Sequence, residues 1–131
     1  MFLIDTNVVS ELFKREPEQK VISFLSTASK TWLSVVTLEE MAFGFSAKPN
    51  PSLQTQFDLF ISQWTDVLAI SADVALRAGA LRGRMRAAGH TRTQADMLIA
   101  ATAQAHRLTL ATRNVRDFEG CGIAVFNPFD L

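Results

Sequence analysis

The chain has 131 residues, 48% of them hydrophobic and 20% charged, which excludes a disordered chain or a disulfide-built miniprotein and predicts one domain over 1–131. Thirteen basic and thirteen acidic side chains cancel, and Cys121 is the only cysteine. No apolar stretch approaches the ~20 residues of a membrane span, and the first twenty residues lack the basic start and long apolar segment of a signal peptide, so a cytoplasmic protein without membrane association is expected.

In chain order, Phe2-Leu3-Ile4 reads as a strand that stops at Asp5. Residues 7–15 and 17–28 read as helices, with Pro17 suited to a first helical position. "TWLSVV" (31–36) is β-branched and apolar, hence a strand. Residues 38–46 look helical and break at "KPNP", a loop. Residues 52–64 read as a helix and "VLAI" (67–70) as a strand. Over 72–88, Val74, Ala78, Leu81, Met85 and Ala88 form one helical stripe, weakened by Gly79 and Gly83. Residues 94–106 form a helix, and "LTLAT" (108–112) and "IAVF" (123–126) are strands. Of Phe13, Phe24, Phe43, Phe45, Phe57, Phe60, Trp32 and Trp64, most recur at helical spacing beside other apolar residues, which predicts core or interface positions rather than base-stacking platforms.

Strands separated by helices predict an α/β fold with a mainly parallel sheet covered on both faces. Ligands of such sheets collect outside the carboxyl ends of the strands. Four acids fall there: Asp5 after the first strand, Glu40 after "TWLSVV" with Glu39 beside it, Asp96 in the first turn of 94–106, and Asp117 after "LTLAT". Each has an ordinary alternative. Thr37-x-x-Glu40 and Thr93-x-x-Asp96 fit a helix start, and acids complement the positive end of a helix dipole. Asp5 and Asn7 also suit a turn.

Repulsion separates the two readings. Two carboxylates about 5 Å apart cost roughly 3 kcal/mol at an effective dielectric near 20, and caps worth about 1 kcal/mol each do not offset several such pairs. A divalent cation does. Oxygen-only ligands select Mg²⁺ or Mn²⁺, whose usual chemistry is phosphoryl hydrolysis by activated water. Thr6, Asn7, Thr112 and Asn114 sit near the same edge, placed to orient that water or an acidic ligand, or simply to form turns. A haloacid-dehalogenase-type phosphatase wants a second Asp where the chain has Asn7. A receiver-type phosphoacceptor wants a late lysine, and the last is Lys48.

"FLIDTNVVSEL", "LSVVTLEEMAFG", "ADMLIAATAQAHRLTLATRNVRDFEG" and "VFNPF" together resemble the PIN-domain nucleases, and among them the VapC/FitB-like toxins of type II toxin–antitoxin pairs. The four motifs, in order, cover essentially the whole chain. The resemblance implies a three-layer α/β/α sandwich and a Mg²⁺- or Mn²⁺-dependent endoribonuclease. It assigns Asp5, Glu40, Asp96 and, from "TRNVRDF", Asp117 as catalytic metal ligands. The helical stripe does not choose between Glu39 and Glu40; the motif register falls on Glu40. Many relatives of the wider class carry an acid at the place of Asn114. The resemblance also implies a cognate antitoxin, operator DNA reached only through that antitoxin, and a homodimer. The alternative is a degenerate PIN fold that binds RNA or a protein without cleaving.

Charge is unevenly placed: residues 77–116 hold eight arginines and one acid, Asp96, while the flanking segments are both net acidic. Arg82, Arg86, Arg92, Arg113 and Arg116 are therefore candidate contacts to an RNA backbone, against the plainer reading of a solvated basic face.

Overall fold

The computed structural model describes residues 1–130. Its strands are β1 (Phe2–Ile4), β2 (Thr31–Ser34), β3 (Asp66–Leu68), β4 (Thr109–Ala111) and β5 (Val125–Phe126). Its helices are α1 (Thr6–Glu11), α2 (Gln19–Thr27), α3 (Val35–Ala47), α4 (Pro51–Trp64), α5 (Ala72–Ala87) and α6 (Gln94–His106). The strands form one sheet in the order β3-β2-β1-β4-β5, and every pairing is parallel.

The short strands are apolar on both sides because both sides are covered. Successive side chains point to opposite faces. Leu3 and Leu110 pack with Val74, Leu81, Met97 and Ile99 of α5 and α6. Ile4, Leu33 and Ala111 pack with Val8, Val9, Val21 and Phe57 of α1, α2 and α4. Leu3, Ile4 and Leu110 are fully buried, and each contributes about 1.5–3 kcal/mol by leaving water. The result is three layers.

From central β1 the chain runs outward through β2 to β3, then returns to lay β4 and β5 on the other side of β1. The β1/β4 boundary is therefore where the strand order reverses, and the crevice lies beyond the carboxyl ends of those two strands. Asp5 and Thr112 are the residues that follow them.

Several boundaries differ from the sequence reading. The strand expected over 31–36 ends at Ser34, whose hydroxyl caps α3 by accepting from the Val36 N–H at 3.0 Å. Val35 and Val36 are β-branched, but satisfying helix N–H groups outweighs their modest strand preference. The same shift moves Thr37 from a cap into the helix interior. The first helix closes at Glu11 rather than 15, and Pro17 lies outside α2, which starts at Gln19. The intervening turn is tied by the buried Glu11 carboxylate, which accepts from the Glu18 N–H at 2.9 Å and pairs with Lys14 at 2.8 Å. On α5 the stripe of Val74, Ala78, Leu81 and Met85 is buried. Phe24 and Phe57 are core residues, whereas Phe43 and Trp64 are 70% and 67% exposed. No helix among the described residues is long and apolar enough to cross a membrane.

Candidate active site

Asp5 caps α1, with its carboxylate accepting from the Thr6 N–H at 2.8 Å through Oδ1. Yet it is only 4% exposed, far more buried than a cap requires. Its Oδ2 accepts from the Thr112 hydroxyl at 2.7 Å and from Asn7 Nδ2 at 3.1 Å. Burial pushes its pKa up to about 6; the Thr112 and Thr6 bonds pull against that, and the charges of Asp96 and Glu40 push further up. The fold thus spends stability to keep an anion here.

The side-chain supports of Asp5 have no donor left over. Thr112 is fully buried. Its one hydroxyl proton goes to Asp5, while its oxygen accepts from Asn7 Nδ2 at 3.2 Å and from the Asn114 N–H at 3.0 Å. Asn7 donates to Asp5 and Thr112, and its Oδ1 accepts from the Arg113 N–H at 3.0 Å. A hydroxyl has one donor and an amide two, so both residues orient the Asp5 carboxylate and stitch the end of β1 to the 112–114 turn.

Glu40 is half-buried and Glu39 exposed. Glu40 Oε1 accepts from the Thr6 hydroxyl at 2.7 Å, and the Thr6 oxygen lies 3.0 Å from the Thr37 hydroxyl oxygen. Since Thr6 has only one proton and gives it to Glu40, Thr37 must donate to Thr6. The chain Thr37 → Thr6 → Glu40 polarises cooperatively and fixes Glu40 toward the crevice. Thr37, fully buried, is the residue that sequence reasoning missed. Its signal was Ser34 three positions earlier, a better cap.

Asp96 lies in the first turn of α6 behind its cap, Thr93, which accepts from the Asp96 N–H at 3.1 Å. Burial raises the Asp96 pKa. Thr93 and Arg92 oppose this, while the charges of Asp117 and Glu40 add to it. Asp117 sits in a 3₁₀ turn (Val115–Phe118) and is half-buried, whereas Asn114 is exposed. Asp96 is therefore the link among the acids, under the fields of Glu40 and Asp117 and itself acting on Asp5. Cys121 is buried and its thiol pKa is raised by desolvation, which makes it a poor nucleophile.

Two clefts flank these acids. One, about 500 Å³, runs from Thr6 and Glu40 to the apolar Phe13, Met41, Phe45 and Leu53. The other, about 510 Å³, is lined by Arg113, Asn114, Arg116, Asp117, Asn127 and Asp130. Arg113 lays its guanidinium on the Phe129 ring, 4.5 Å from the centroid, beside this second cleft. Arg116 is exposed at its rim. Arg82 and Arg86 stand exposed on α5, and Arg82 lines a separate cavity of about 130 Å³ with Gln94 and Met97. Arg92 is half-buried and donates through Nη2 to the Arg116 carbonyl at 3.2 Å.

A protein-family model for the PIN domain matches residues 2–120. The chain belongs to the PIN-domain family. It is 32% identical over 138 residues to the VapC ribonuclease Y4jK of Sinorhizobium fredii, a match covering 99% of each chain. The crystal structure of FitAcB from Neisseria gonorrhoeae superposes with a TM-score of 0.87 at 31% identity and full coverage of both chains. A DNA-bound VapBC from Salmonella typhimurium superposes with a TM-score of 0.84 at 28% identity, covering 97% of each. The three-layer PIN sandwich expected from the sequence is the fold observed.

No three Asp, Glu, His or Cys side chains among the described residues converge tightly enough to form a preformed cage for a metal. This PIN site is open instead. Mg²⁺ retains several waters and commonly takes only one or two protein carboxylates, so an open site of oxygen donors fits it. A buried Asp5 whose pKa is raised by desolvation and by the charges of Asp96 and Glu40 is the electrostatic condition that a cation relieves.

Proposed function

We propose that this PIN domain is a divalent-metal-dependent endoribonuclease, the toxin of a type II toxin–antitoxin pair. The observation that carries the reading is Asp5, held buried by three donors at the β1/β4 boundary, its pKa raised by that burial and further by the charges of Asp96 and Glu40. Asp5, Glu40, Asp96 and Asp117 would hold Mg²⁺ or Mn²⁺. When bound, the cation polarises a phosphodiester oxygen, acidifies the attacking water and steadies the departing oxyanion. Thr112 and Asn7 fix Asp5, with the Thr112 bond opposing the rise in its pKa from burial, and the Thr37 → Thr6 chain fixes Glu40. Arg113 and Arg116, beside Asp117 in the second cleft, hold the RNA backbone, with Arg82 and Arg86 extending the basic surface.

Support for the substrate comes from the ribonuclease relative, and support for the partners from the VapBC and FitAcB likenesses. By this reading a cognate antitoxin covers the site, operator DNA is reached through it, and the toxin pairs as a homodimer in the cytoplasm. A competing reading, a PIN fold that binds RNA or a protein without cleaving it, draws on the open spacing of the acids. Incubation of single-stranded and structured RNA with the protein, with Mn²⁺ or with chelator, separates them. Cleavage that needs the metal and disappears in Asp5→Ala is expected; full activity in that variant, or none in the wild type with either metal, overturns the proposal.

A further inference from the structure

Arg92 was a candidate RNA contact, but its surroundings give it different work. It lies in the loop between α5 and α6, just ahead of the Thr93 cap, and it is half-buried. Its Nη2 donates to the carbonyl of Arg116, the residue before Asp117. Its Nε is the buried side-chain nitrogen or oxygen left without a hydrogen-bond partner among the described residues. An unpaired buried donor is unfavourable, and Arg92 forms no direct ion pair among those residues. Its charge nevertheless acts on Asp96 and on the Cys121 thiol, favouring the anionic form of both.

We infer that Arg92 is a positioning residue: a resident counter-cation that ties the Val115–Phe118 turn to the start of α6 and keeps Asp96 and Asp117 together while no metal is bound. The inference rests on the metal reading above. A phosphate-binding arginine presents its guanidinium fork to solvent. Here one fork nitrogen is committed to a backbone carbonyl and Nε is sealed from water without a partner, so the guanidinium is not presented whole to a phosphate. A fixed positive charge behind Asp96 offsets repulsion among the acids in the empty site. It also opposes an arriving cation, so the same charge that stabilises the metal-free protein lowers its metal affinity. Linkage requires both effects together: whatever stabilises only the metal-free state weakens binding.

The test uses the full chain with Mn²⁺ as the probe. Melting temperatures are taken in chelator and in Mn²⁺, and Mn²⁺ affinity by calorimetry, for wild type, Arg92→Met and Arg92→Lys. Arg92→Met is expected to melt lower in chelator, to recover with Mn²⁺ by more than the wild type gains, and to bind Mn²⁺ roughly 3- to 10-fold more tightly, as one lost charge at several ångströms implies. Arg92→Lys keeps the charge, so its Mn²⁺ affinity stays close to wild type while part of the stability is lost with the carbonyl bond. An equal melting loss in chelator and Mn²⁺ with unchanged affinity overturns the inference, leaving only a structural strap. Unchanged melting with a raised KM for RNA and a salt slope reduced by about one overturns it in favour of a phosphate contact. If the wild type itself binds no Mn²⁺, the metal reading fails, a result distinct from a wild type and Arg92→Met that bind equally well.

Discussion

Replacing Asp5 with Asn should make the metal-free protein more stable relative to wild type as pH rises. Asp5 has a pKa of about 6 against an ordinary 3.8, a difference equivalent to about 3 kcal/mol of folding free energy. Because the native state holds this proton more tightly than the unfolded chain, the proton's contribution is complete below about pH 3.8. It is lost as pH climbs through about 6. Above that, the chelated wild type carries an ionised, 4% exposed carboxylate at that cost. Asn removes the charge. It also turns one acceptor into a donor, facing either the Thr6 N–H or the Thr112 and Asn7 donors, a mismatch of about 1–3 kcal/mol that does not change with pH. Urea melts in chelator at pH 4.5 and 7.5 isolate the titrating part. The difference between Asp5→Asn and wild type should move in favour of the variant by about 2 kcal/mol across that interval, and Mn²⁺ at pH 7.5 should move it back. A difference independent of pH, or one moving the other way, refutes the electrostatic argument.

Glu40→Gln should lower the RNA cleavage rate by two orders of magnitude or more while Glu39→Gln stays within about twofold, because only Glu40 faces Thr6 and the crevice; equal losses would reject the assignment. Thr112→Val removes the 2.7 Å donor to Asp5 and should weaken Mn²⁺ binding about 10- to 100-fold by calorimetry. Arg107 ends α6 with φ at +53°, a left-handed conformation that costs a side chain about 1 kcal/mol. Arg107→Gly should therefore raise the urea midpoint without changing cleavage.

The order and type of the elements were legible because the apolar runs are short, are separated by helical stripes, and are buried on both faces. What resisted reading was local. Val35 and Val36 look like strand, and only the position of Ser34 one residue earlier tells that a cap has been reached. Glu11, mid-helix by pattern, ends its helix by turning its carboxylate onto the Glu18 N–H across a stretch with no periodicity. The gathering of Asp5, Glu40, Asp96 and Asp117 within reach of one another's charge was legible from topology, since a parallel sheet places each strand's next residues at one edge. Their supports were not: the one-proton economy of Thr112, Thr6 and Thr37 exists only in three dimensions. The surroundings of Arg92 were not legible for the same reason, because proximity in sequence to Asp96 does not tell which nitrogens of a guanidinium are buried.

Diffraction from Mn²⁺-soaked crystals at the manganese absorption edge bears most directly on the central claim. An anomalous peak within coordinating distance of Asp5 and Asp96, absent in Asp5→Asn, is the predicted result. A fully soaked crystal with no peak in that crevice, or with manganese held elsewhere, contradicts it.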